Sequence, residues 1–98
     1  MQNHFYVYIL KCKNGAYYIG HTDNIDKRMS EHHLGLIDKC YTKKMRPVEL
    51  IFHEVFSTRD DAFHAERQIK GWSRKKKEAL MRGNWEEIQE LNALQKKI

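Results

Sequence analysis

Apolar and polar positions alternate through two short blocks, FYVYILKC and AYYIGHT, on either side of Lys13-Asn14-Gly15. Aromatic and β-branched residues at a period of two predict strands, and the Asn-Gly pair between them predicts a hairpin. Two registers compete. A two-residue Asn14-Gly15 loop opposes Lys13 to Ala16 and sends Tyr8 and Tyr18 to opposite faces. A three-residue loop, with Gly15 left-handed in a bulge, opposes Cys12 to Ala16 instead. It places Phe5, Val7, Ile9 and Ile19 on one face, and Tyr6, Tyr8, Leu10, Tyr18 and Gly20 on the other. A slip of one residue exchanges the faces of a strand, so the register that collects the aliphatics is preferred. One face is then expected to be core and the other a site.

Beyond Thr22 the spacing becomes helical. Ile25, Met29 and Leu34 predict a helix over about 25–34, with Asp23 as its N-cap and Gly35 as its end. Residues 36–46 read as a basic loop. Pro47 opens VELIFHEVF, whose imperfect alternation predicts a strand buried on both faces. Thr58 caps a second helix, about Arg59 to Trp72, with Asp60 and Asp61 suited to its first turn. Ser73 caps a third, Arg74 to Arg82. Asn84 caps the last, where Ile88, Leu91 and Leu94 form a stripe. The order ββαβααα predicts an α/β (α+β) fold: a small three-stranded antiparallel sheet flanked by helices. A chain of 98 residues suits one domain, 1–98, with a helical C-terminal extension at about 84–98.

With 41% hydrophobic and 32% charged residues the chain is expected to fold rather than stay disordered. Only Cys12 and Cys40 are present, so no disulfide framework is implied. The start MQNHF lacks the form of a secretory signal, and no apolar run reaches the roughly 18 residues of a membrane span. A cytoplasmic location is the expectation.

The net charge of +5 is unevenly spread. RQIKGWSRKKK, residues 67–77, carries six basic residues and no acid, and Lys39, Lys43, Lys44 and Arg46 cluster around the proline. Such clustering is the footprint of a polyanion. The candidate nucleic-acid contacts are His21, Lys43, Lys44, Arg46, Lys70, Arg74, Lys75, Lys76 and Lys77. Zinc is not expected, because no CxxC or HxxxH pair occurs among His32, His33, Cys12 and Cys40. Tyr6, Tyr17, Trp72 and Trp85 are assigned to packing, and His4, His53 and His64 to no role.

Four features line up: the tyrosines of YVY and YIG, Arg28 ten residues after Tyr18, His32 four residues further, and Glu66 in AFHAERQIKGW. Together they resemble the signatures of the GIY-YIG nuclease superfamily, most closely its small stand-alone bacterial members. The superfamily includes the incision subunit of nucleotide excision repair and some homing and restriction endonucleases. The resemblance implies a divalent-metal-dependent nuclease that hydrolyses phosphodiester bonds, with DNA preferred to RNA as partner, linked to DNA repair or processing. It implies a site of Tyr8, Tyr18, Arg28, His32 and Glu66, with Glu66 holding one Mg²⁺ or Mn²⁺. Arg28 would neutralise phosphoryl charge, Tyr18 would position water or phosphate, and Tyr8 would act on the attacking water as base or orienter. Here His21 stands where several relatives carry lysine, and Tyr6 where the family name has glycine.

A tyrosine with its ordinary pKa near 10 is only about 0.1% phenolate at pH 7, so a competent base needs about 4 kcal/mol of anion stabilisation. Histidine needs no such help. Both Tyr8 and His32 therefore stand as candidate bases. Glu66 shares a helical side with Ala62, Phe63 and Ile69, and an inward carboxylate there wants a cation, either a metal or Lys70 four residues on. Two other classes of function compete. One is a non-catalytic nucleic-acid-binding module that keeps the fold. The other is a protein-interaction domain with Ile88, Leu91 and Leu94 exposed. Since the chain adds no separate binding domain to the nuclease core, a protein partner supplying specificity is a further expectation.

Overall fold

The computed structural model describes residues 4–37 and 41–89. Its sheet has Phe5–Lys11 (β1) in the middle, with Tyr17–Thr22 (β2) and Glu49–Phe56 (β3) as antiparallel neighbours in the order β2-β1-β3. The middle position explains the run of apolar residues in β1. Val7 and Ile9 meet one layer of helices while Tyr8 and Leu10 meet another. Each such aliphatic side chain stabilises the fold by about 1.5–3 kcal/mol.

The hairpin takes the three-residue loop. Cys12 N–H donates to the Ala16 carbonyl at 2.8 Å, Gly15 N–H donates to the Cys12 carbonyl at 2.8 Å, and Gly15 has φ 85°. Tyr8 is thereby set opposite Gly20, and Leu10 opposite Tyr18. The expectation for β3 is corrected: it is an outer strand, and none of its residues is fully buried. Its alternation is broken because Ile9 pairs with Phe52 while Leu10 pairs with Leu50, leaving Ile51 in a bulge.

The helices are Ile25–Leu34 (α1), Tyr41–Lys44 (α2), Arg59–Lys70 (α3) and Arg74–Met81 (α4), followed by helical residues 85–89. Thr58 and Ser73 cap α3 and α4, and Asn84 Oδ1 accepts the Glu87 N–H at 3.1 Å. For α1 the cap is Asn24 rather than Asp23. Asn24 Oδ1 accepts the Lys27 N–H at 3.0 Å, whereas Asp23 lies one residue outside and pairs with Arg59. The helical turn α2 falls inside the stretch expected to be a loop. Thr42 and Met45 turn inward there, against the second layer.

On one face Val7, Ile9 and Ile19 pack with Ala62 and Ile69 of α3, Ala79 and Leu80 of α4, and Ile88. On the other, Tyr8, Leu10, Cys12 and Val48 pack with Ile25 and Met29 of α1, Met45 and Leu50. The face expected to be only a site is thus a second core. Ile88 is buried and leaves the proposed exposed stripe, while Leu91, Leu94, Lys39, Cys40 and the rest of the extension lie outside the described residues. Trp72 packs against the core, but Trp85, expected to pack, is 58% exposed among the described residues. No helix among the described residues is long and apolar enough to cross a membrane.

Candidate functional site

β2 is an edge strand, and the two helical layers meet around that edge. There Tyr8, Tyr18, Gly20, His21, Thr22, Asp23, Arg28, Arg59 and Glu66 line a cleft of about 280 Å³. The site is therefore not confined to one sheet face. Its residues from β1 and α1 come from one layer, and Glu66 on α3 comes from the other.

Tyr8 reaches this edge from the middle strand by lying across Gly20. A Cβ at Gly20 would stand 2.6 Å from Tyr8 Cζ and against its hydroxyl. The glycine is what gives the phenol passage. Tyr8 and Tyr18 share a face, with ring centroids 6.4 Å apart, and the Tyr18 ring lies 5.3 Å from that of His32.

His32 does not line the cleft; it stands behind Tyr8. Its Nε2 is 2.9 Å from the Tyr8 hydroxyl and its Nδ1 is 2.7 Å from Thr42 Oγ1. Tyr8, His32 and Thr42 are each 1% exposed. Burial, and secondarily the Arg28 guanidinium, push the His32 imidazole down to about 4, so the ring is neutral at pH 7. Arg28 and His32 lie four residues apart on α1, so both turn toward Tyr8's side of the sheet. Arg28 Nε is 3.7 Å from Glu31 Oε1, beyond hydrogen-bond distance, and this buried nitrogen has no hydrogen-bond partner among the described residues.

Glu66 is buried on α3 with both oxygens engaged. Oε2 is 2.7 Å from His21 Nδ1, and Oε1 is 3.0 Å from Lys70 Nζ. Phe63, expected on the inward side with it, is 40% exposed; the inward stripe is Ala62, Glu66 and Ile69. No group of three or more His, Cys, Asp or Glu that could hold a metal gathers among the described residues. Of the two carboxylates that line the cleft, Asp23 pairs with Arg59 at 3.5 Å, and Glu66 is the candidate donor for a cation. Each of its oxygens keeps a further lone pair beyond the contacts to His21 and Lys70, so it suits a hard ion with one protein ligand, completed by water and phosphate oxygens.

The basic candidates separate. Lys76 is corrected: it is 3% exposed, with its ammonium 4.3 Å over the Trp72 ring, so it is not part of the basic surface. Arg74 braces the hairpin, stacking 4.1 Å over Tyr17, donating to the Gly15 carbonyl at 3.0 Å and pairing with Glu78 at 3.5 Å. Arg46 donates to the Lys43 carbonyl at 3.1 Å and the His33 carbonyl at 3.4 Å, near the end of α1. Lys43, Lys44 and Lys75 are exposed and Lys77 is half-buried; none of them lines the cleft.

Two residues of the arrangement escape the sequence pattern. Arg59 lines the cleft from the first position of α3, where a cation opposes the helix dipole; that misfit was its signal. Thr42, within a basic run, had none.

A profile of the GIY-YIG catalytic domain matches residues 4–79. The UPF0213 protein YazA of Bacillus subtilis is 50% identical over 76 residues, 78% of this chain and 75% of that protein. A UPF0213 protein of Bacillus pumilus is 45% identical over 76 residues, 78% and 76% of the two chains. The solution NMR structure of the UPF0213 protein BH0048 from Bacillus halodurans is similar with a TM-score of 0.52 and 38% identity, covering 79% of this chain and 81% of that one. That of EF2693 from E. faecalis gives 0.58 and 36%, covering 85% and 90%. The match takes in the hairpin with both tyrosines, α1, β3 and the whole of α3, and on that ground the chain belongs to the GIY-YIG catalytic-domain family, a family of nuclease domains.

Proposed function

We propose that the protein is a divalent-metal-dependent nuclease that hydrolyses phosphodiester bonds in DNA. One observation carries the reading: Tyr8, Tyr18, Arg28 and Glu66, from four elements and both sides of the sheet, line a single cleft. A phosphodiester needs an oriented water, a cation for its developing charge and a path for the leaving oxygen, and this cleft has groups for each.

The position of His32 favours one role for Tyr8. Tyr8 lines the cleft and His32 does not, so the group that faces the reacting water is Tyr8. An imidazole whose proton affinity burial has lowered is a poor acceptor for the phenol's proton. Tyr8 therefore acts by accepting a hydrogen bond from the attacking water and orienting it, and His32 acts by orienting Tyr8. Tyr18, beside it, positions the phosphate. Arg28, whose side chain lines the cleft, neutralises charge on the phosphoryl oxygens. Mg²⁺ or Mn²⁺ would be held by Glu66, which His21 and Lys70 keep in place. Such an ion, when bound, supplies polarisation of the phosphoryl group and stabilisation of the leaving 3′ oxygen.

A second reading has its own support. Both oxygens of Glu66 are engaged by His21 and Lys70, which favours a binding module that does not cut. The test is cleavage of labelled single-stranded, duplex and branched DNA, and of RNA, with Mg²⁺ or Mn²⁺, beside Glu66→Ala and Tyr8→Phe. Metal-dependent cutting of DNA that both substitutions abolish, with unchanged circular dichroism, is the expected result. Binding without cutting, indifferent to either substitution, would overturn the nuclease reading in favour of the module.

A further inference from the structure

The hydrogen bonds behind Tyr8 run through His32 to Thr42, a residue that the cleft does not include and that is yet as buried as the tyrosine itself. Thr42 Oγ1 lies 2.7 Å from His32 Nδ1, and His32 Nε2 lies 2.9 Å from the Tyr8 hydroxyl. A neutral imidazole has one N–H and one bare nitrogen, so the chain admits two proton arrangements. In one, Tyr8 O–H donates to Nε2 and Nδ1–H donates to Thr42. In the other, Thr42 O–H donates to Nδ1 and Nε2–H donates to Tyr8.

Chemistry separates them. The phenol is the most acidic hydroxyl of the set, and its oxygen, conjugated with the ring, is the poorest acceptor. The bare imidazole nitrogen is the best acceptor, and an alcohol oxygen accepts better than a phenol. The first arrangement joins best donor to best acceptor and gives the N–H the better oxygen. Both arrangements make both bonds, and in so buried a place no water evens out the difference in donor and acceptor strength, which therefore sets the choice.

We propose that Thr42 is a positioning residue for Tyr8: its Oγ1 accepts Nδ1–H, holds His32 as the Nδ1–H tautomer, and so turns the Tyr8 proton inward onto Nε2. The Tyr8 oxygen then presents lone pairs, not a proton, to the cleft. Without Thr42 the imidazole is released to carry its proton on Nε2, which turns the Tyr8 O–H outward and removes the acceptor that orients water. The consequence for rate rests on the nuclease reading; the tautomer does not.

The test uses the full chain with Thr42→Val, which keeps shape and loses the hydroxyl, and Thr42→Ser, which keeps the hydroxyl. Long-range ¹H–¹⁵N NMR at pH 7 reads the His32 tautomer directly. Wild type and Thr42→Ser are expected to carry the proton on Nδ1, and Thr42→Val on Nε2. In the cleavage assay Thr42→Val is expected to lose roughly 10- to 100-fold in kcat with little change in KM, and Thr42→Ser to recover most of it. A wild-type His32 already protonated on Nε2 would overturn the proposal with no variant needed, as would an unchanged tautomer in Thr42→Val. If the wild type cuts nothing, the nuclease reading fails while the NMR arm still decides the role of Thr42.

Discussion

Replacing His32 with glutamine tests the electrostatics on which the site depends. Burial and Arg28 lower the His32 pKa from 6.5 to about 4. Between those values the unfolded chain binds a proton that the folded chain refuses. The stability associated with the neutral ring is therefore fully present above pH 6.5 and is lost as pH falls toward 4. A displacement of that size corresponds to about 3 kcal/mol, since each pK unit is about 1.4 kcal/mol. That is a large part of the about 5–15 kcal/mol of a typical domain. Glutamine does not titrate and offers an amide to Tyr8 and Thr42, so the variant lacks this dependence while keeping polar groups in place. Urea unfolding of both proteins at half-unit steps from pH 7 to pH 4 measures the effect. The stability of wild type relative to His32→Gln is expected to fall by about 3 kcal/mol across the range. Other histidines contribute equally to both curves and cancel in the difference. Parallel curves would refute the reasoning: His32 would then not be held neutral, and the orienting role given to Tyr8 would fall with it.

Gly20→Ala is expected to destabilise the fold by about 1–3 kcal/mol and to abolish cleavage, because the added Cβ meets the buried Tyr8 ring at 2.6 Å; thermal unfolding and the cleavage assay check both. Lys76→Met, which keeps the stem over Trp72, is expected to leave DNA affinity within about twofold. Lys75→Ala with Lys77→Ala is expected to lower it and to reduce the salt slope by about one for each phosphate no longer neutralised; fluorescence anisotropy across a salt series distinguishes the two cases. Asn24→Ala is expected to cost about 1 kcal/mol in urea unfolding and Asp23→Ala much less, since only Asn24 caps α1.

What the sequence determined by itself is what covalent geometry makes local. The hairpin register follows from the two-residue period of a strand and the left-handed freedom of Gly15, and the starts of α3 and α4 follow from Thr58 and Ser73, whose oxygens reach N–H groups three residues on. The set from Tyr18 through Arg28 to Glu66 was legible only through its resemblance to the signatures of a known family, since each of these residues by itself reads as packing or as surface. The tertiary structure alone decided the rest. Nothing local places β1 in the middle of the sheet, so β3 read as buried when it is an edge. Nor does anything local bring Tyr8 to His32 across 24 residues, or His21 to Glu66 across 45. Lys76 reads as one more cation of a basic run until Trp72 closes over it, and Thr42 reads as loop until His32 turns toward it. Burial of a polar group is a property of what packs around it, and the neighbours that make these groups buried arrive from distant parts of the chain.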